Sequence, residues 1–310
     1  MARVHDMSED GRARKDAPDW SVVALSRDEF VSKVRQKGEE LYRELPWRHV
    51  DDAYGVFVSE VMLQQTQVAR VMNYWDRWMA LFPTADALAA SDTALVLEMW
   101  QGLGYNRRAL ALKRACEKCS LEYGGVLPRT EDELISLPGI GPATAAGIMA
   151  FAYQQPAVYI ETNVRSVFLH ELFPNAEGVS DKELIPYVRD VCPVAVDDAS
   201  VQVFGPREWY YALLDYGADL KKRVSNPSRR SAHHTRQSKF SGSHREKRSV
   251  VLRLVLAAPE GVGRAEIRAA LDAYEHDAGR SFVDAQTFES LIEELVQEGF
   301  FRIQGDMLVP

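Results

Sequence analysis

From about Asp28 to Ala218 apolar residues recur at three-to-four spacing with no convincing strand-type alternation, and this pattern restricts the region to packed helices. The segments DEFVSKVRQKGEELYREL, AYGVFVSEVMLQ, TQVARVMNYWDRWMALF, DTALVLEMWQGL, RALALKRACEKCSLEYG, TEDELISL, ATAAGIMAFAY and WYYALLDYGADL each carry it. Several have Thr, Asp or Pro near their starts, residues that satisfy or tolerate the unpaired N–H groups of a first turn. The separators FPTAD, GLGYNR, GGVLPRT and LPGIGP are short, so the expected fold here is a compact all-α domain.

The pattern breaks at residues 221–248, KKRVSNPSRRSAHHTRQSKFSGSHREKR, where ten Lys and Arg residues face one acid, Glu246. With little to bury, the stretch reads as a basic linker that touches a polyanion, phosphate above all. After it, SVVLRLVLAAPEG, GRAEIRAALDAYEHD and AQTFESLIEELVQEG have helical spacing, and FFRIQGDMLVP has two extended runs around Gly305 and Asp306. Three helices and a hairpin suggest a winged-helix-like α+β module. Its acids, Glu275, Asp277, Glu289, Glu293 and Glu294, leave open whether it meets DNA or protein. The expected division is a flexible segment 1–20, a helical domain of two lobes 21–220, the basic linker 221–248 and the module 249–310.

Composition excludes several classes. With 310 residues, 46% of them hydrophobic, the chain can bury a substantial core, and a net charge of −8 argues against a globally basic binder. No apolar run approaches the ~20 residues of a membrane span, and the polar N-terminus lacks a signal-peptide core, so a cytoplasmic address is expected; the chain is also expected to be a monomer. Three cysteines, Cys116, Cys119 and Cys192, do not suggest a disulfide framework. Cys116 and Cys119 form a CxxC inside a helical pattern, where packing is the better reading than a metal site.

Three stretches carry chemistry. In LPGIGPAT the glycines Gly139 and Gly141 suit a tight turn before a helix whose N–H groups can receive a phosphate oxygen. In SEVMLQQTQ a carboxylate, Glu60, stands among Val56, Phe57, Val58, Val61, Met62 and Leu63; desolvation there would raise its pKa and favour a general acid. Gln64, Gln65 and Thr66 then interrupt the apolar run at a helix junction, as a wedge into a duplex requires. In YIETNVRSVF, Glu161 and Asn163 precede an apolar helical segment, so Glu161 is either a helix cap or a catalyst.

Through LPWR, SEVMLQQTQV, WQGLGY, LPGIGPAT and ETNV, in that order and spacing, residues 45–218 resemble the MutY-type adenine DNA glycosylases of the helix-hairpin-helix superfamily. The resemblance implies an all-α helix-hairpin-helix glycosylase domain acting on double-stranded DNA that contains a lesion or mismatch. It implies that Glu60 protonates the leaving base, that Glu161 stands where an aspartate stabilises an oxocarbenium-like sugar, and that Asn163 is its polar partner. It further implies DNA contacts from Arg48 at the base pocket, from Gln64, from Gln65 inserted into the base stack, from Tyr105 intercalated beside the orphaned base, and from Gly139 and Gly141 on a phosphate. The superfamily hairpin often holds a monovalent cation. Lys221, Arg229 and Arg230 of the basic strip are the remaining expected DNA contacts.

Three departures from the family qualify this. Glu replaces Asp at 161, and an added methylene displaces a carboxylate enough to matter, since misplacement by about 1 Å can cost ~100-fold in rate. Ala143 stands where lyase branches carry a Schiff-base lysine, so a monofunctional glycosylase is expected. Lys221, Ser228, Ser231 and Gln237 fall where the family has four iron–sulfur cysteines, so no cluster and no other cofactor is expected. A displaced carboxylate is better tolerated by a base that leaves as a delocalised anion. The substrate expectation therefore leans to an oxidised or deaminated pyrimidine, 5-hydroxyuracil or uracil, with adenine opposite 8-oxoguanine or guanine as the alternative. A non-catalytic damage sensor is the alternative of another class.

Overall fold

The computed structural model describes residues 17–50, 52–194, 204–232 and 239–310. Its helices run in chain order as α1 Arg27–Leu41, α2 Ala53–Leu63, α3 Val68–Leu81, α4 Ala85–Ala90, α5 Thr93–Trp100, α6 Arg107–Glu122, α7 Glu131–Ile135, α8 Pro142–Phe151, α9 Thr162–Glu171, α10 Asp181–Val191 and α11 Pro206–Arg223. Then follow α12 His244–Leu256, strand β1 Val262–Gly263, α13 Arg264–Asp277, α14 Ala285–Gln297, and strands β2 Arg302–Gln304 and β3 Met307–Val309. The chain divides into two compact units, one of residues 1–44 with 141–236, the other of 45–140 with 237–310.

In the first unit, Ser26 and Glu29 form a reciprocal capping box at the start of α1. This helix lies against α11, where a Cβ on Gly38 would come within 2.5 Å of the Ala212 Cβ, so the crossing needs a residue without one. Phe30 and Phe168 meet in the core with ring centroids 4.8 Å apart, beside the buried Trp209. Helix α10 was not expected, because Pro186 sits inside it and removes an N–H donor from the helix interior. The buried residues Leu184, Tyr187, Val188 and Val191 hold it in place, so tertiary packing outweighs the local defect. Trp20, at the end of the segment expected to be flexible, packs edge-on against Tyr187 and donates to Asp190 at 3.1 Å; residues 1–16 lie outside the described residues.

In the second unit, Trp78 packs against Phe82 and Trp100, with centroids 4.8 and 5.3 Å apart, and the Tyr54 hydroxyl donates to the Phe82 carbonyl at 2.8 Å. The C-terminal part has the expected form, three helices and a hairpin. The sheet order is β1-β3-β2, all antiparallel, with Ile303 opposite Leu308. Phe288, Leu291, Ile292, Leu295 and Leu308 fill its core.

The stretch read as a basic linker is built otherwise where it is described. Lys221–Arg223 end α11, Pro227–Arg230 form a 3-10 turn, and His244–Arg248 open α12. Arg236 and Gln237 fall outside the described residues.

Candidate functional site

Glu60 lies three residues from the end of α2, itself half-buried and flanked by the buried Val56, Phe57, Val58, Val61 and Met62. The helix stops at Leu63. Gln64–Thr66 turn away from it, and Gln65 takes φ +52°, the left-handed region that non-glycine residues avoid at a cost of about 1–3 kcal/mol. A second loop, between α5 and α6, contains Gly102 and Gly104 at φ +93° and +77°, then Tyr105 at φ +50°. The two residues expected to enter the base stack are therefore two of the three non-glycine residues with positive φ among the described residues, the third being Gln154.

Arg108 holds both loops. Its guanidinium donates to the carbonyls of Val61 (2.7 Å), Met62 (3.0 Å) and Gln64 (2.6 Å), to Thr66 Oγ1 (3.0 Å), and to the carbonyls of Leu103 (3.3 Å) and Gly104 (2.9 Å). Burial pulls its pKa down to about 10, well above neutrality, so it stays charged. A single ammonium cannot span two loops as a planar fork does. Arg108→Ala should destabilise the protein by about 3 kcal/mol, within the range for losing bonds to a charged donor, and Arg108→Lys should recover less than half of it in a denaturant melt.

The hairpin follows α7. Gly139 has φ +77°, and a Cβ on it would lie 2.6 Å from the Ala111 Cβ, so both conformation and space demand glycine. Gly141 is extended and caps α8 without a side-chain bond; nothing lies within 4 Å of where its Cβ would be, which leaves the α8 N-terminus open. Pro142 takes the first turn of α8, and Ala143 beside it is exposed. A cavity of about 210 Å³ lies between Gln64, Arg108, Ala111 and Gly139. LPGIGPAT has no acidic side chain, so a monovalent cation there would have main-chain oxygens to bind it.

In the other unit Glu161 is the N-cap of α9. Its Oε1 accepts from the N–H groups of Asn163 and Val164, the latter at 3.0 Å. Glu161 thus turns back on its own helix, which takes up the length of the added methylene. Burial pushes its carboxyl above the ordinary range, opposed by the Val164 N–H, the Lys221 charge, the Asn163 N–H and the Arg165 charge. Lys221 Nζ donates to Asn163 Oδ1 at 2.7 Å, and burial lowers its own pKa against the pull of Glu161. Helix α11 comes this close because Gly217 has no Cβ; one there would lie 2.3 Å from the Asn163 carbonyl oxygen. Arg165 is engaged with Asp181 through two bonds of 2.8 Å.

Arg230, expected on DNA, is turned inward. It donates to the carbonyls of Phe173, of Leu169 at 2.8 Å and of Ala176 at 3.1 Å, satisfying the end of α9 and the turn that follows. Arg229 is exposed, and Arg48 is buried, 6% exposed, in a 3-10 turn. Of the positions aligned with cluster cysteines, Lys221 is bonded to Asn163, Ser228 to Asn226, and Ser231 bridges to Val179; Gln237 is outside the described residues. An iron–sulfur cluster needs thiolates, and these are ammonium and hydroxyl groups, so the residues present do not fit one. The thiols of Cys116 and Cys119 are packed inside α6, where burial pushes the first far up and the second to about 11.

Residues 58–192 match the family described as HhH-GPD superfamily base excision DNA repair protein. Over that stretch, less than half of its length, the chain is similar to the HhH-GPD superfamily. The adenine DNA glycosylase of Mycolicibacterium smegmatis is 38% identical over 179 residues, which cover 57% of this chain and 58% of that protein. The human adenine DNA glycosylase is 43% identical over 134 residues, 40% of this chain and 24% of that one. The match therefore spans less than two thirds of these relatives. A thermostable thymine-DNA glycosylase shares the fold, with a TM-score of 0.53 at 22% identity over 62% of this chain and 86% of its own. The HhH-GPD match contains Glu60, Gln64, Gln65, Tyr105, both hairpin glycines, Glu161 and Asn163.

Arg108 escaped the sequence reading. The signal was there in principle: two polar turns, 64–66 and 101–106, expose carbonyls that need donors, and an arginine follows the second.

Proposed function

We propose that this chain is a monofunctional DNA glycosylase of base excision repair that removes adenine opposite 8-oxoguanine or guanine. The observation that carries this reading is the sequence identity of 38–43% to adenine DNA glycosylases, beside a family match over residues 58–192 that contains both carboxylates. The lean to a damaged pyrimidine rested on a displaced carboxylate. That argument weakens because Glu161 folds back to cap α9, and adenine fits the sequence relatives better. The likeness to a thymine-DNA glycosylase concerns the fold alone.

In this reading the C1′–N9 bond of the flipped nucleotide breaks with the electron pair leaving on the base. Glu60 supplies a proton to the departing ring, which makes adenine a competent leaving group. The ionised Glu161 carboxylate stabilises positive charge on the sugar until water adds at C1′. Gln65 and Tyr105, already in left-handed backbone, fill the space the base vacates and offset part of the unstacking cost. With alanine at position 143, no amine on α8 is placed to attack C1′, so the product is an intact abasic site.

Lys221 tunes this chemistry through its charge beside Glu161. Lys221→Met removes a term that favours the carboxylate, so the Glu161 pKa rises further and activity is lost at a higher pH as the solution is acidified. A pH–rate profile should show its acid limb displaced upward in Lys221→Met and returned toward wild type in Lys221→Arg. The reading as a whole is tested by single-turnover excision on duplexes that pair adenine, uracil, thymine and 5-hydroxyuracil with guanine or 8-oxoguanine. Adenine excision supports it; excision of a pyrimidine alone replaces the substrate; tight lesion binding without any excision replaces the enzyme with a damage sensor.

A further inference from the structure

The C-terminal module has no part in the reaction as described so far. Residues 249–310 carry eleven acidic side chains against five basic ones, most of the chain's net charge of −8. The outward face of α14, the third helix of the module, presents the exposed Glu289 and Glu293. Such a surface repels a phosphate backbone, so the module does not act as a broad DNA-binding face.

One end of the module nevertheless rests on basic residues. Helix α14 stops where Gly299 takes φ +84°, with the Gly299 N–H turned back to the Val296 carbonyl at 2.9 Å. This end, where a helix carries the negative pole of its dipole, meets α6. Arg107 donates from Nε and Nη2 to the two carboxylate oxygens of Glu298, each at 2.5 Å, and Arg114 donates to the Glu298 carbonyl at 2.9 Å. A Cβ on Gly299 would lie 3.0 Å from Arg114 Nη2, so the approach depends on glycine. From within the module Arg248 donates to the same carboxylate at 2.7 Å. Burial alone would raise the Glu298 pKa, but the two arginines hold it below the ordinary range, so it stays ionised.

The Arg107 side chain is 71% exposed, although Glu298 is only 20% exposed. Together with Gln64 and Gly139 it lines the cavity beside the hairpin. An ion pair with so exposed a member is weak, so its partner is readily exchanged.

We propose that Arg107 is a binding site for a DNA backbone phosphate that the free protein keeps filled with its own Glu298 carboxylate, and that a phosphate of the bound duplex takes the carboxylate's place. This rests on the reading of the chain as a DNA glycosylase, with Gln64 and Gly139 facing the duplex. A carboxylate and a phosphate each accept two parallel N–H bonds from a guanidinium, so the exchange needs little change in Arg107. Glu298 retains Arg248 when Arg107 turns to DNA, and no carboxylate is left unpaired. The acidic module thereby weakens binding to every duplex by a similar factor, because a phosphate contact carries no sequence information.

The test is equilibrium binding of the full chain, over a series of salt concentrations, to an intact duplex and to one with a tetrahydrofuran abasic site opposite 8-oxoguanine. Glu298→Gln keeps an oxygen for Arg248 but releases Arg107, and should bind both duplexes about threefold more tightly. Arg107→Ala should flatten the slope of log affinity against log salt by about 0.9, the share of one phosphate, and Arg107→Lys should restore it. Combined with Arg107→Ala, Glu298→Gln should bring no gain, which separates competition for Arg107 from a general loss of negative charge. An unchanged slope in Arg107→Ala overturns the proposal, as does a gain from Glu298→Gln that persists without Arg107. The slope decides the matter should Glu298→Gln loosen the module, since Arg107 is exposed. Equal wild-type affinity for the two duplexes would count against the glycosylase reading alone, and the Arg107 slope would still judge the exchange.

Discussion

Glu60→Gln is expected to lower the single-turnover rate of adenine excision by on the order of 10³-fold, the range for removing a general acid, while affinity for the duplex changes little. The amide nearly matches the carboxyl in shape, so α2 and its buried neighbours should keep their packing. The loss then reports the missing proton rather than a damaged fold. Rate measured at saturating enzyme separates the two, since a packing defect would move binding and melting temperature together with the rate. A Glu60→Gln protein that still excises adenine at more than about a tenth of the wild-type rate would remove Glu60 from the chemistry.

Glu161→Ala should have the second large effect, and on two quantities at once. Loss of the bonds to Asn163 and Val164 uncaps α9 and should destabilise the protein by about 1 kcal/mol, as N-cap deletions do. Loss of the carboxylate should slow excision by roughly 10²–10³-fold, the scale for removing one preorganised electrostatic partner. Glu161→Gln separates these, because the amide oxygen still accepts from the helix N-terminus but carries no charge. It should retain most of the stability and little of the activity. The pH dependence has a definite sign. In the proposed mechanism the reacting form is the ionised carboxylate, and burial raises its pKa, so activity should fall on acidification at a higher pH than an ordinary glutamate would give. Glu161→Asp should remain active if the backbone of α9 sets the carboxylate position and inactive if the longer side chain is what reaches the sugar.

What could be read from the sequence was local. The helical spacing of 28–218 and the turn at Gly305–Asp306 each express a pattern within a few residues, and both appear as structure. The need for glycine at 139 was legible as a turn, though its contact with Ala111 was not, since that neighbour comes from another helix. Helix α10 was hidden by Pro186, whose local cost is overcome by side chains that meet only in the fold. The basic strip misled for a related reason. Composition gives charge without direction, and the fold turns Arg230 inward to carbonyls of α9, leaves Arg229 exposed, and gives Lys221 to Asn163. Glu161 posed a choice between cap and catalyst, and the fold makes it a cap whose carboxylate is also held in a charged setting. Arg108 and Arg107 act across many residues of sequence, on carbonyls and a carboxylate that no periodicity describes.

The most direct measurement is identification of the base released, by mass spectrometry, from a duplex that pairs adenine with 8-oxoguanine, using wild type, Glu60→Gln and Glu161→Ala. Free adenine from the wild type alone, with the strand left uncleaved until alkali is added, is the predicted result. Release of a pyrimidine from a matched uracil or 5-hydroxyuracil duplex, with no adenine released under the same conditions, would contradict it.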